Sequence, residues 1–375
     1  MQNDFLSFVK LLLLSMVLVF SYGSSLPKKV ETELKMNQIQ GIASHNSYKK
    51  AIDPPLLNMI LSYDSSAIGL DYEHLALEQQ LDLGLRGFEL DVLYDPQGGR
   101  FAQPRGIELL RAQGVDLESI DTVALSKPGF KVLHVPDIDF RTHCGTFINC
   151  LSTMKKWSEA HADHLPIIIT INPKTSGLEM PGFTEVLPFD AQVLAALDEE
   201  IVATLGLQKL ITPHVVQGDF PSLSAAVKEK GWPLLKDARG KFLFVLDSGK
   251  EITEQYQSIQ SSDRLMFVNV GPNHPQAAFF IMNNPAKQEE EIKTLVQQGF
   301  MVRTRADANT VEARTGDFSR FEAAIRSGAQ VISTDYYIKS LSPQQDFEIV
   351  FENQAYTQCN PVLIKPKDCK LQLKD

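Results

Sequence analysis

The chain is short of positive charge: 36 Lys and Arg stand against 46 Asp and Glu, a formal net charge of -10. A surface of that sign repels nucleic acid and anionic lipid at long range, which excludes broad electrostatic binding of either. Any anionic substrate must therefore be met by a local cationic site. Four cysteines are too few for a disulfide-built scaffold, and no C-x-x-C pair is present to hold zinc. There is also no Walker A sequence, no glycine-rich dinucleotide turn and no G-x-S-x-G elbow. No apolar run reaches the roughly 20 residues that a membrane-spanning helix needs.

What is present is enough apolar material, 43% of residues, to bury a sizeable core. Near the start, in "FVKLLLLSMVLVF", an apolar run follows Lys10 and gives way to the small residues of "SYGSS". This is the layout of a signal peptide over residues 1–23, cleaved after Gly23 or nearby; a retained anchor is the alternative. The expectation is an exported protein, periplasmic or secreted, and no cysteine follows the run to allow lipoprotein processing. Export permits disulfides, and proximity in sequence pairs Cys144 with Cys150 and Cys359 with Cys369.

Short apolar runs then alternate with segments of helical period. Eight read as strands: 40–46, 84–92, 131–135, 166–172, 241–247, 265–270, 300–307 and 330–336. Helices are expected over 151–165, 189–206, 288–299 and 317–328, the last two ending in Gly. With no internal repeat and no linker, this predicts one α/β unit over residues 24–375, a (β/α)8 barrel with its core at about 40–337 and an extension at 338–375. A doubly wound open sheet is the alternative.

Strand after strand turns polar at its C-terminal end: His45 and Asn46, Glu89 and Asp91, His134, Asn172, Asp247, Asn269, Arg303 to Asp307, Asp335. In a barrel these ends converge on one face, where the active site lies. Glu89 and Asp91 are two apart in a strand and so share a face, about 7 Å apart. With the amide oxygen of Asn46 they form an all-oxygen set suited to a hard ion, Ca²⁺ or Mg²⁺. The plainer reading pairs one carboxylate with Arg86 or Arg141 and leaves the other in solvent. His45 and His134, at the ends of the first and third strands, suit proton transfer on either side of a reacting centre. His74, His161, His164, His214 and His274 fall in helices or loops and read as structural or surface residues.

The segments "ASHNSY", "LRGFELDV", "LHVPDIDFRTHCGTFINCL", "GWPLLKDARGKFLFVLD", "VRTRAD" and "SGAQVISTDY" resemble, in order and spacing, the secreted bacterial phosphoinositide phospholipase C-like proteins of the Ca²⁺-dependent type. Those proteins belong to the PLC-like phosphodiesterase barrels. The resemblance implies catalytic roles for His45 and His134 and metal ligation by Asn46, Glu89 and Asp91. It implies attack of a headgroup hydroxyl on phosphorus, giving a cyclic phosphodiester and diacylglycerol. His134 would protonate the leaving alkoxide and His45 would contact the attacking hydroxyl or a phosphoryl oxygen, with Glu89 an alternative base. Lys174, Arg303 and Arg305 are candidates for phosphate or headgroup contact, or else close the barrel mouth as salt bridges, and Tyr336 for packing on a sugar ring.

One position departs from the family pattern. Asn172, in "TINPK", stands where a Glu is usual, which removes one negative charge from the metal shell. The expected substrate is a phosphatidylinositol-type phospholipid or its soluble headgroup ester, met at a membrane surface only transiently, and no nucleic acid. The alternatives are a glycerophosphodiester phosphodiesterase, or a degenerate barrel that binds headgroups or glycans without turnover.

Overall fold

Strand β4, Ile167–Pro173, reads IIITINP and is buried along nearly its whole length, the mark of a parallel strand covered on both faces. It is one of eight parallel strands, with β1 (Ile39–Ser44), β2 (Gly87–Asp95), β5 (Phe242–Leu246), β6 (Phe267–Val268), β7 (Phe279–Ile281), β8 (Met301–Arg305) and β9 (Val331–Thr334). The computed structural model describes residues 34–260, 264–344 and 346–371, so the segment read as a signal peptide lies outside the described residues.

The ladder runs β6-β5-β4-β2-β1-β9-β8-β7 and closes, but for one seam, into the expected α/β barrel. At the seam the Asn269 side-chain oxygen accepts from the Ile281 N–H at 3.2 Å, a side chain standing in for a ladder bond. Gly87 brings β1 and β2 together: a Cβ there would lie 2.4 Å from that of Ala43. Any larger residue would force apart the two strands that carry His45 and Glu89.

Two strand expectations need correction. Residues 131–135 do not form a barrel strand. The third strand in sequence, β3 (Gly129–Lys131), pairs antiparallel with the far end of β2, Leu93 opposite Lys131 and Asp95 opposite Gly129. At nine residues β2 outruns the barrel, and its overhang takes an antiparallel partner there. His134 consequently stands on a loop. The strand missed is β7, only three residues long and too short to show an alternation.

The helices that position the site are α1 (Pro54–Tyr63), α2 (Arg105–Arg111), α3 (Phe147–Ala160), α4 (Ala191–Leu205), α5 (Pro285–Gln297) and α6 (Ser319–Ser327). Helix α3 starts four residues before its sequence expectation because Thr146 caps it, its hydroxyl accepting from the Asn149 N–H at 3.2 Å. Asp190 caps α4 in the same way at 2.8 Å. Helix α6 stops at Gly328, where φ is +77° and a Cβ would lie 2.7 Å from Val362. Below the barrel, β10 (Thr357–Cys359) adds antiparallel to the start of β1. Both disulfides join the cysteines paired by proximity, Cys144 to Cys150 and Cys359 to Cys369.

Candidate active site

At the end of β1 the backbone turns at Asn46, whose φ of +48° is the left-handed conformation that Asn tolerates. His45 is thereby placed beside groups from the neighbouring strands β9 and β8. Its Nδ1 lies 2.8 Å from Asp335 Oδ1, just past β9, and Arg305 Nη1, from β8, donates to its Nε2 at 3.1 Å. These partners select the neutral tautomer with the proton on Nδ1 and the lone pair on Nε2. Burial, then the Arg305 charge, push the imidazole below its ordinary pKa. Burial works to raise the Asp335 carboxyl, but His45, Arg305 and His74 outweigh it and hold it well below the usual range. Asp307 accepts from the Thr334 hydroxyl and the Asp335 N–H, and burial beside Asp335 pushes it up to about 7.

His134 makes a second dyad. Its Nδ1 is 2.7 Å from Asp139 Oδ2, and Asp139 Oδ1 is 3.3 Å from the ammonium of Lys49, itself buried. The ring of Tyr72 lies between the two histidines, with centroids 5.9 Å from His45 and 6.4 Å from His134. Its hydroxyl accepts from Asn46 Nδ2 at 2.7 Å, which leaves Oδ1 as the amide atom suited to a cation. Sequence reasoning passed over Tyr72, Lys49 and Asp139, because nothing in a loop reports which barrel residue it will face.

The carboxylates of β2 are already paired. Glu89 binds Arg303, which also donates to Ser333 at 2.9 Å and Asn283 at 2.8 Å. Burial works to raise the Glu89 carboxyl, but the Arg303 charge prevails and lowers it. Asp91 Oδ2 lies 2.9 Å from Lys174 Nζ. The buried Tyr48 hydroxyl faces the same carboxylate. Neither Arg86 nor Arg141 is the partner: Arg86 lies over Trp157, and Arg141 binds Asp53.

Asn172 sits opposite Asp91 in the β2–β4 register. Asp247 follows β5 and lies 3.8 Å from Arg303; burial, then Glu89, push its carboxyl up to about 6. Among the described residues no three His, Cys, Asp or Glu side chains gather as a metal group. The oxygen set is instead two carboxylates and two amides, Glu89, Asp91, Asn46 and Asn172. Its all-oxygen chemistry fits a hard cation, while Arg303 and Lys174 supply the present charge balance.

Tyr336 requires correction. It is buried edge-on against Phe347, ring centroids 5.9 Å apart, so no face is open to a sugar; the aromatic beside the two histidines is Tyr72. His161 stacks on Trp157 and His164 bonds Ser158, so both are structural.

A family model described as phosphoinositide phospholipase C, Ca²⁺-dependent, matches residues 34–361. Among solved structures, a calcium-dependent phosphoinositol-specific phospholipase C from a Pseudomonas species, in a myo-inositol complex, is similar at 18% identity and a TM-score of 0.52, covering 87% of this chain and 95% of that one. A Ca²⁺-dependent phosphatidylinositol-specific phospholipase C from Streptomyces antibioticus is similar at 16% identity and a TM-score of 0.53, covering 84% and 100%. No curated protein matches significantly.

Proposed function

The chain belongs to the family of Ca²⁺-dependent phosphoinositide phospholipases C, and from that premise we propose that it cleaves a phosphatidylinositol-type phosphodiester with His45 and His134 as its proton-transfer pair. It is a phosphoric diester hydrolase of phospholipase C type, and the metal of its family is Ca²⁺ rather than Mg²⁺.

The observation that carries the reading is the pair of histidine–carboxylate dyads, His45 with Asp335 and His134 with Asp139, on either side of Tyr72. His45 Nε2 accepts the proton of a headgroup hydroxyl as that oxygen bonds phosphorus. The bond from phosphorus to the lipid oxygen breaks, and His134 gives that oxygen a proton, so a cyclic phosphodiester and diacylglycerol leave. Asp335 and Asp139 orient the two rings and stabilise each imidazolium. Arg305 gives up its contact with His45 Nε2 to hold a phosphoryl oxygen, assisted by Lys174. Asn46, Glu89, Asp91 and Asn172 would hold Ca²⁺, which when bound lowers the pKa of the attacking hydroxyl and offsets charge on phosphorus.

Two disulfides support export to an oxidising compartment. The same proposal covers removal of residues 1–23, folding of 24–375 as one barrel unit, transient contact with a lipid surface and no nucleic-acid partner. Incubation with phosphatidylinositol and with glycerophosphodiesters, with and without Ca²⁺, followed by phosphorus NMR, tests the reaction. The expected product is a cyclic inositol phosphate that forms only with Ca²⁺; a linear phosphomonoester as first product would favour the glycerophosphodiesterase alternative.

A further inference from the structure

The cleft that holds both histidines is far larger than a phosphorylated cyclitol requires. It measures about 1030 Å³, at the upper end of the roughly 300–1000 Å³ typical of small-molecule pockets. His45, Arg305 and Asp335 make one end of it polar. The rest of the lining is mostly apolar, with Ile60 of α1, Leu109 of α2, Leu70, Ile138 and Phe183, interrupted by polar side chains such as Asp64, Arg105 and Gln113. None of these is a barrel-strand residue. The apolar wall begins at Val135, directly after His134, the residue that faces the leaving group. At the rim stand Tyr63, 87% exposed, and Met180, 57% exposed.

We propose that this trough is a binding subsite for the hydrocarbon of the leaving group, taking an acyl chain of the lipid substrate out of the bilayer during turnover. The proposal rests on the phospholipase reading above. Two features of the molecule favour an acyl chain as occupant. The trough is continuous with the catalytic centre on the His134 side, where the departing oxygen carries its hydrocarbon. The net charge of -10 also denies the protein long-range attraction to an anionic bilayer, so apolar contact has to supplement the local cationic contacts to the headgroup.

Two measurements on the full chain test this. The first is kcat/KM for glycerophosphoinositol and for dibutanoyl-, dihexanoyl- and diheptanoyl-phosphatidylinositol, all below their critical micelle concentrations. The expected result is a rise of roughly three- to fourfold per methylene seated in the trough, reduced in Leu109→Asn. The second is calorimetric titration with dihexanoylglycerol, which should bind saturably to the wild type and at least tenfold more weakly to Leu109→Asn. A flat series of monomeric substrates, with activity rising only at the micelle threshold, would overturn the subsite and leave the hydrocarbon in the membrane. Absence of saturable dihexanoylglycerol binding to the wild type would overturn it as well. If no inositol phosphodiester is turned over, the catalytic reading fails, and dihexanoylglycerol binding alone decides the trough.

Discussion

Arg303 and Glu89, 214 residues apart in sequence, form a buried ion pair across the mouth of the barrel. The guanidinium is also fixed by Ser333 and Asn283 and lies 3.8 Å from Asp247, so it balances one carboxylate fully and a second in part. A Ca²⁺ ion that takes Glu89 as a ligand must therefore replace this charge.

That competition can be measured. Arg303→Met is expected to lower stability without Ca²⁺ by about 3–5 kcal/mol, the usual cost of leaving one partner of a buried pair uncompensated. Millimolar Ca²⁺ should then raise the Tm of the variant more than that of the wild type. Equal Ca²⁺ shifts in thermal unfolding would place Glu89 outside any calcium shell.

Asn172 faces Asp91 across the β2–β4 register, so Asn172→Glu sets a third carboxylate beside the pair. Affinity for Ca²⁺ follows ligand charge, and the variant should bind it more tightly in a calorimetric titration. Turnover could still fall through repulsion of the substrate phosphate. Equal affinities in the two proteins would show that the fourth strand contributes nothing to the metal site.

His45→Ala and His134→Ala should each lower kcat by about 10² or more with the fold kept, as expected for removal of a general acid or base. Asp335→Asn and Asp139→Asn leave the imidazoles in place and remove their orienting charge, so smaller losses are expected. Rates near wild type in either folded alanine variant would remove that histidine from the reaction.

His74 makes a pH test of stability possible. Its Nε2–H donates to the His45 carbonyl at 2.5 Å, its Nδ1 is buried without a partner, and burial holds its pKa down to about 4. The unfolded chain binds this proton at pH about 6.5 and the folded one only near 4, so stability drains away as pH falls between these values. Over the whole window the loss is on the order of 3 kcal/mol. Asp307 and Asp247 titrate with the opposite sign, but they are common to wild type and His74→Gln and cancel in the difference. Urea unfolding at pH 7 and pH 4.5 should therefore show the wild type losing ground to the variant; parallel behaviour would mean that His74 is not buried as the neutral form.

Local pattern was enough to read much of this protein. Strand and helix periods, with polar residues gathered at strand ends, pointed to a barrel and to His45, Asn46, Glu89 and Asp91 at its mouth, because a strand's period of two decides which side chains share a face. Tertiary structure alone decided who meets whom there. Glu89 takes Arg303 rather than Arg86 or Arg141 because β8 and β2 aim side chains across the same mouth, a relation that no local period carries. His134 sits on a loop because β2 outruns the barrel and draws β3 into an antiparallel pair outside it. Tyr72 rather than Tyr336 lines the site because the chain after β9 turns its tyrosine under Phe347. Short-range spacing determines the face a residue shows, whereas its partner depends on strand order and loop path, which are settled only when the barrel closes.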